Sequence, residues 1–253
     1  YDKSYKSQKS FNNNIGLPYS LVNQKKESEY NIYEIGMNNF GEIDYLSSIL
    51  KPNLAIITNI GEAHLGNLGS ISNIAKAKAE IIKNISNKGT IILNYDCKFY
   101  KQLRIISKKN NINILSFGSS DKASASYKII GLNTVKFKIN KKKIILKLNS
   151  LNLNIINNIL VCFLVLNFYK LNLSKIKNYF NKIKITRGRG NLVKLRNKIS
   201  IVDDSYNSNP SSLKNSIHQF DKLTTNKKKI LVIGDMLELG KFSKRKHIEV
   251  ASY

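Results

Sequence analysis

The sequence is poor in the residues that build cross-linked or metal-stapled proteins. Its 253 residues include two cysteines, three prolines and no tryptophan. The two cysteines, Cys97 and Cys162, stand far apart and form no CxxC pair. Because zinc sites and disulfide frameworks need several cysteines at set spacings, we predict neither.

Long apolar runs are also missing. The longest candidate, Ile155 to Tyr169, is interrupted by three asparagines at 157, 158 and 167. It falls short of the roughly 18 uninterrupted apolar residues that indicate a membrane span, so it predicts a buried helix. No charged-then-apolar leader opens the sequence. We therefore expect a soluble cytoplasmic protein with no membrane partner.

Acidic residues are scarce, since 16 Asp and Glu face 42 Lys and Arg and give a net charge of +26. Basic surfaces of this kind bind phosphate backbones, so a nucleic-acid-binding protein is one alternative. However, the lysines are spread along the chain and accompany an excess of Asn, Ile and Tyr. An AT-rich genome would produce that bias. We favour this compositional explanation and expect no nucleic-acid partner.

The first half of the chain alternates short apolar runs with helical periods, which indicates an α/β fold with a mostly parallel sheet flanked by helices. The predicted strands are Asn31 to Ile35, Leu54 to Asn59, Thr90 to Asn94 and Ile112 to Phe117. The predicted helices between them are Glu42 to Leu50, Ser70 to Ile85 and Asp96 to Lys109.

The second half changes rhythm. Tyr127 to Leu148 alternates apolar and polar residues and predicts a small antiparallel meander. The glycines of Arg187 to Gly190 suggest a boundary between domains 1–186 and 187–253. The remaining predicted elements are helices Ile155 to Tyr169 and Ser174 to Lys184, a strand pair ending at Ile199 to Asp203, a helix after Pro210, a strand Lys229 to Ile233 and a helix from Ser243.

One lysine of the helix Ser70 to Ile85 shares its apolar face. At 100° per residue, five isoleucines lie on the same side as Lys78, whereas Lys76 points away. Burial disfavours the charged amine, and a neutral amine can add carbon dioxide to give a carbamate. The alternative is a stem that snorkels to the surface. An inward Lys78 would supply a carboxylate-like ligand for Mg²⁺.

Two further residues of metal-binding types follow the predicted ends of strands. Glu34 closes the predicted strand Asn31 to Ile35, and His64 follows the predicted strand Leu54 to Asn59. Ligands bind at the carboxyl ends of parallel strands, so both side chains are expected at one crevice. Alone, either could be structural; together with Lys78 they predict a cation site.

Six segments of the sequence resemble the Mur ligase family, specifically the MurF type that adds D-alanyl-D-alanine to a peptidoglycan precursor. The segments are Phe11–Pro18, Glu34–Ile43, Thr58–Leu65, Ala75–Ile81, Asp203–Pro210 and Ile233–Gly240. The resemblance implies a central ATPase domain at 1–186 and a partial, Rossmann-like α/β C-terminal domain at 187–253.

The resemblance also implies site residues and ligands. Glu34, His64 and a carbamylated Lys78 would serve as the catalytic and metal residues, holding two Mg²⁺ sites. ATP would meet Asn158, Arg189 and Asp204. The substrate-binding residues would be Asn12, Asn13, Asn59, Tyr206 and Asn207. The implied partners are UDP-N-acetylmuramoyl-tripeptide and D-alanyl-D-alanine, joined through an acyl phosphate by a monomeric enzyme.

The sequence departs from the family pattern at two places. No GxxxxGK[ST] phosphate loop occurs in it, and the usual Gly-x-His-Asn ahead of Asn158 reads Asn152-Leu153-Asn154-Ile155. We therefore expect a fragment that ligates nothing by itself. A related ligase of the same fold, such as one adding glutamate to folate, is the second alternative, although it would not explain Asp203–Pro210 and Ile233–Gly240.

Overall fold

The structure is a computed structural model that describes residues 3–8, 10–148, 152–173, 179–180, 186–196, 199–222 and 228–253. The chain forms two compact units. The first comprises Tyr1–Ile60 and Ser70–Ser116, and the second comprises Gly61–Gly69 and Phe117–Tyr253. These units do not coincide with the domains predicted at 1–186 and 187–253, and that boundary stays a prediction.

The described elements alternate between strands and helices as far as β5, and strands β5 to β8 then follow one another directly. The strands are β1 Ser4–Lys6, β2 Tyr30–Ile32, β3 Leu54–Ile57, β4 Thr90–Asn94, β5 Asn113–Gly118, β6 Ala125–Gly131, β7 Thr134–Ile139, β8 Lys142–Lys147, β9 Asn191–Lys194 and β10 Ser200–Asp203. The helices are α1 Gly16–Val22, α2 Glu42–Leu50, α3 Leu65–Leu68, α4 Ile71–Ala79, α5 Tyr100–Lys109, α6 Leu153–Phe168, α7 Pro210–Asp221 and α8 Ser243–Ala251, with 3-10 turns at Glu80–Asn84 and Gly240–Phe242.

The core of the first unit is a parallel sheet. Strands β3 and β4 pair in parallel from Leu54 opposite Thr90 to Ile57 opposite Leu93, and β5 lies next to β4. β4 reads as an unbroken apolar run because both faces of such a sheet are covered; its residues 91 to 93 are fully buried. α4 packs its apolar face inward, with Ile74 and Ala77 buried. The predicted α/β fold is confirmed.

The strand predicted at Asn31 to Ile35 differs from the structure. β2 is shorter and pairs in parallel with β1 in a separate two-stranded sheet. Its residues are half-buried or exposed, with Ile32 61% exposed. A strand that buries so little apolar area gains little from joining a central sheet. Glu34 therefore follows a strand of a separate two-stranded parallel sheet, and its place at a crevice shared with β3 stays a prediction.

The core of the second unit is the predicted meander. The end of β5 pairs in parallel with β6, at Phe117 opposite Ala125, and β6, β7 and β8 then pair antiparallel. Asn140, with φ 52°, makes the tight turn between β7 and β8. α6 packs its buried face on this sheet, and Phe163 stacks edge-to-face on Phe137 with ring centroids 5.4 Å apart.

The C-terminal elements are confirmed except for one strand. β9 and β10 pair antiparallel, and α7 starts at Pro210 behind a capping box formed by Asn209 and Ser212. The strand predicted at Lys229 to Ile233 is absent from the described residues, where 228–237 has no regular structure. Apolar patterning alone makes no strand; backbone groups need a paired neighbour. In this structure Val232 is 90% exposed.

Two helix predictions have a different outcome. The helix predicted from Asp96 begins at Tyr100, because the Asp96 backbone N–H donates to Oδ1 of Asn94 and the chain turns before the helix starts. The helix predicted at Ser174 to Lys184 falls largely outside the described residues. The remaining helices begin or end within a few residues of their predicted bounds.

The aromatic cluster under the meander yields a stability prediction. Phe163 is fully buried and contacts both Phe137 and Phe180, with ring centroids 4.9 Å apart in the second pair. Phe163→Ala should lower the free energy of unfolding by about 3–5 kcal/mol. Leu132→Ala is the control, since Leu132 is 95% exposed. Urea unfolding checks both, and a loss below about 1 kcal/mol for Phe163→Ala would contradict the described packing.

Candidate functional site

In the first unit, Lys78 lies at the end of β3. Its Nζ donates to the backbone carbonyl of Asn59 at 3.0 Å. Burial lowers the pKa of the Lys78 amine, while Cys97 acts weakly in the opposite direction. Lys76, two residues earlier on the same helix, is exposed. The apolar face of α4 therefore directs Lys78 inward toward the strand end.

Glu34 is an exposed carboxylate that is hydrogen-bonded to Asn12. Its Oε1 accepts a hydrogen bond from Nδ2 of Asn12 at 3.0 Å, and the Gly36 backbone N–H donates to the Asn12 carbonyl at 2.7 Å. A Cβ at Gly36 would meet the Asn12 side chain at 2.9 Å, so glycine permits this approach. The second predicted substrate residue, Asn13, uses Oδ1 to accept from Gly16 N at 2.8 Å, which fixes the start of α1.

In the second unit, His64 sits on a strained turn. Its backbone adopts a left-handed conformation, with φ 65°, directly before α3. Nδ1 is buried and lies 2.9 Å from Oε2 of Glu238, close enough for an ion pair but without hydrogen-bond alignment. A non-glycine residue in this backbone region costs free energy, and such strain concentrates at functional sites.

Two glycines bring the His64 loop onto a C-terminal segment of the same unit. The Gly66 N–H donates to the Glu238 carbonyl at 2.7 Å. A Cβ at Gly66 would lie 2.7 Å from Gly240 N, closer than side chains tolerate. Gly66 directly follows the segment Thr58–Leu65, and Gly240 ends the segment Ile233–Gly240; both segments resembled the family. The structure brings these distant segments into contact.

Glu62, a residue not predicted for the site, is the most buried carboxylate of this loop. It is 8% exposed, accepts from Ser211 Oγ at 3.0 Å and lies 2.6 Å from Nζ of Lys246. Lys246 also pairs with Glu249 at 2.9 Å, and Lys214 with Glu249 at 2.7 Å. We call these four charged residues with Ser211 the Glu62 network.

Hydrogen bonding shifts two pKa values in the Glu62 network. The hydrogen bond that Lys246 donates to Glu62, followed by the one it donates to Glu249, raises the pKa of Lys246. Bonds from Lys214 and then Lys246 lower the pKa of Glu249 to about 2. Both shifts favour the charged forms at neutral pH. The sequence shows Glu62 directly after Gly61, but no sequence pattern predicts Lys246 as its partner.

The predicted nucleotide residues of the C-terminal region lie along one loop pair. The Gly190 N–H donates to the Asp203 carbonyl at 2.8 Å and the Tyr206 N–H to the Gly188 carbonyl at 3.1 Å. The guanidinium of Arg189 stacks 4.1 Å from the centroid of the Tyr206 ring. Asp204 accepts a hydrogen bond from Ser216. Asn207 is exposed, and its Oδ1 accepts from Ser208 N at 2.8 Å.

The predicted adenine contact, Asn158, is exposed on α6. Its neighbour Asn157 is the more informative residue. Oδ1 of Asn157 is buried and has no hydrogen-bond partner among the described residues. An unsatisfied buried acceptor costs free energy, which a ligand donor can recover. Sequence reasoning missed it because two adjacent asparagines cannot be told apart by pattern alone.

The predicted metal residues meet Mg²⁺ preferences only in part. Glu34 offers oxygen, whereas Lys78 becomes an oxygen ligand only after carbamylation. Within the described part of the chain, no three His, Cys, Asp or Glu side chains are grouped to hold a metal. Glu34 and Lys78 belong to the first unit and His64 to the second. The ligand set therefore stays a prediction.

Comparison with known proteins gives matches over most of the chain. A 37% identical relative, the UDP-N-acetylmuramoyl-tripeptide–D-alanyl-D-alanine ligase of Rickettsia prowazekii, aligns with 98% of this chain and 56% of its own length. MurF from Acinetobacter baumannii superposes with a TM-score of 0.89 at 27% identity, over 98% of this chain and 54% of that one. MurF ligase from Thermotoga maritima in complex with ADP gives 0.86 at 27% identity, over 99% and 57%.

The chain thus spans about half the length of the relatives it matches. The profile of the Mur ligase middle domain matches residues 1–166, and that of the Mur ligase glutamate ligase domain matches residues 188–253. The first profile alone covers well over half of the chain, and its match agrees with the parallel sheet, the meander and the segments around Glu34, His64 and Lys78. The chain belongs to the Mur ligase family.

Proposed function

We propose that the protein containing this chain is a MurF-type ligase that joins D-alanyl-D-alanine to UDP-N-acetylmuramoyl-tripeptide at the expense of ATP. The 37% identity to a relative of that name over 98% of the chain carries the proposal. The tripeptide carboxylate would take the γ-phosphate of ATP, releasing ADP. The dipeptide amine would then attack the acyl phosphate, forming the amide and releasing phosphate and a proton.

The chain's own residues would supply the charge that this chemistry needs. Glu34 and His64 are the side chains offered to Mg²⁺, which would neutralise the triphosphate and the developing charge of the reacting carboxylate. Asn12 orients Glu34 through its 3.0 Å hydrogen bond. Glu238 approaches His64 Nδ1 at 2.9 Å and so limits the ring's rotation.

Lys78 would act as a carbamate. Carbon dioxide bonds to the neutral Nζ, and the nitrogen releases a proton, so the amine becomes an anionic oxygen ligand. The lowered pKa of Lys78 favours the neutral amine that this addition needs. The bond to the Asn59 carbonyl holds the nitrogen at the strand end, beside the predicted substrate residue.

The nucleotide would meet residues of the second unit. Arg189, whose guanidinium lies over the Tyr206 ring, would present a cation for phosphate, and Asp204 would accept from ribose hydroxyls. Asn158 lies on the exposed side of α6, and the unsatisfied Oδ1 of Asn157 could accept from an adenine amino group. Substrate would contact Asn12, Asn13, Asn59, Tyr206 and Asn207.

The setting of the enzyme is proposed from its relatives. We infer a cytoplasmic monomer, since its substrates are nucleotide-activated precursors. None of the described helices is long and apolar enough to cross a membrane. The alternative of a folate-type ligase fits the fold but not the D-alanyl-D-alanine ligase name borne by the 37% identical relative.

One prediction tests the reaction itself. The complete gene product containing this sequence should ligate D-alanyl-D-alanine in preference to D-alanine or glutamate. The 253-residue chain alone should show no turnover, because it contains no Gly-rich loop to cradle the triphosphate. Release of phosphate and mass spectrometry of the product measure both. Equal use of a single amino acid would move the assignment to a sister ligase, and turnover by the short chain would refute the need for the loop.

A second prediction separates Lys78 from its neighbour. With ¹³C-bicarbonate, the parent chain should show a carbamate carbon by NMR that grows as pH rises through the lowered pKa of Lys78, since only the neutral amine reacts. Lys78→Arg should lose the signal and cut ligation by the complete protein at least ~100-fold. Lys76→Arg, on the exposed side of α4, should keep both. A signal that survives Lys78→Arg rejects this role.

A third prediction concerns the Glu62 network. Among the described residues, Glu62→Gln leaves Lys246 with Glu249 as its one charged partner and should cost about 1–3 kcal/mol of local stability. Amide hydrogen exchange in residues 61–69 should accelerate. The raised pKa of Lys246 implies that its stabilisation is full below the ordinary lysine pKa of 10.5 and is lost as pH rises further.

The control for that prediction is Glu29→Gln, which removes an exposed ion pair with Lys3. It should leave exchange in residues 61–69 unchanged. Unaltered exchange in Glu62→Gln would mean that Glu62 does not hold the His64 loop.

A further inference from the structure

The carboxylates of this chain are unevenly distributed. Between Asp121 and Asp203 there is no Asp or Glu, although the rest of the chain holds all 16. The same 81-residue stretch contains 15 lysines and 3 arginines. A uniform codon bias explains why lysine is common, but not why one continuous stretch lacks every acid. The stretch includes the whole meander, β6 to β8.

Five of the meander's lysines lie on its outer face. Val135, Phe137 and Ile139 of β7 are buried toward α6, so the alternate residues Lys136 and Lys138 point outward. The register places Lys128 directly opposite Lys136 and Lys143 directly opposite Lys138. Lys147 continues the outward row on β8. We call these five lysines, together with Ile130, Leu132 and Ile145, the basic hairpin face.

Such pairing costs stability. Like charges directly opposite one another in a sheet repel, and two such pairs occur here. Of the described residues, Asp121 is the one carboxylate that forms an ion pair on this face, 3.9 Å from Lys138. That aspartate is itself largely exposed. A polyanion bound on the face would remove the repulsion.

Large apolar side chains stand among these lysines. Leu132, at the tip of the β6–β7 hairpin, is 95% exposed, and Ile130 and Ile145 are about half exposed, at 49% and 48%. Ile145 lies directly opposite Lys136. Apolar side chains exposed beside a ring of cations are typical of surfaces that enter the boundary between lipid headgroups and acyl chains.

We propose that the basic hairpin face binds the surface of a lipid bilayer that carries anionic headgroups. The lysines pair with headgroup phosphates while Leu132 and Ile130 insert at the interface. Nucleic acid fits less well, because it uses outward aromatic rings for base stacking and has no use for an apolar tip. The aromatic residues of these strands, Tyr127 and Phe137, lie on the inner face. The attachment is peripheral, does not depend on the ligase activity, and departs from the expectation of no membrane partner, which rested on the missing apolar runs alone.

Vesicle flotation tests the proposal, with the 253-residue chain and with the complete gene product. Both should float with phosphatidylcholine vesicles that contain phosphatidylglycerol and not with phosphatidylcholine alone. Lys136→Glu with Lys143→Glu should reduce the bound fraction about tenfold or more at moderate salt. The matched control is Lys51→Glu with Lys88→Glu, which makes the same charge change at exposed lysines of the other unit and should bind nearly as the parent does.

A second variant separates insertion from charge alone. Leu132→Ser with Ile130→Ser keeps every lysine and changes exposed side chains, so it should fold while losing affinity severalfold. Three outcomes would overturn the proposal: no flotation with anionic vesicles, an equal loss in the Lys51/Lys88 control, or unchanged binding by the serine variant. The last result, with tight binding to a single-stranded RNA oligomer, would indicate a nucleic-acid surface instead.

Discussion

The contact between the Gly66 backbone and the Glu238–Gly240 turn organises the second unit. Because the Gly66 N–H donates at 2.7 Å and no Cβ intervenes, residues 61–69 pack with a segment more than 170 positions later. This one approach brings His64 to Glu238 and Glu62 to Lys246. It also explains why the compact units do not follow the order of the chain, since a loop from between β3 and α4 belongs to the later unit.

The sequence predicted those elements whose burial pattern is periodic and complete. Lys78 could be placed on the inner side of the predicted helix Ser70 to Ile85 because five isoleucines share that side, and its Nζ lies 3.0 Å from the Asn59 carbonyl. The segment Lys229 to Ile233 was predicted as a strand but has no regular structure, and β2, although a strand, pairs with β1 in a separate sheet. An apolar run states a preference for burial, whereas a strand also needs a paired backbone, and pairing partners are not visible in local sequence.

The candidate site shows the same division. Glu34, His64 and Lys78 were predicted as site residues from their residue types. Arg189 and Tyr206, predicted from the resemblance, lie in contact with each other. Lys246, the ion-pair partner of Glu62, could not be predicted, because nothing in the sequence distinguishes it from the other lysines. The buried Oδ1 of Asn157 escaped for a similar reason: hydrogen-bond satisfaction belongs to the folded structure.

Although carboxylates are scarce, four of them each contact more than one partner. Glu62 and Glu249 together serve Lys246 and Lys214, while Asp44 accepts from both Lys83 and Asn84. Glu80 accepts from the backbone of Gly41 and Asp44 at the start of α2. These four carboxylates hold loops and a helix start in place. The meander is held by strand pairing and by its aromatic core, and it contains no Asp or Glu. Its lysines are left facing one another across the strands, so compositional bias sets the number of cations but the fold decides which of them remain unneutralised.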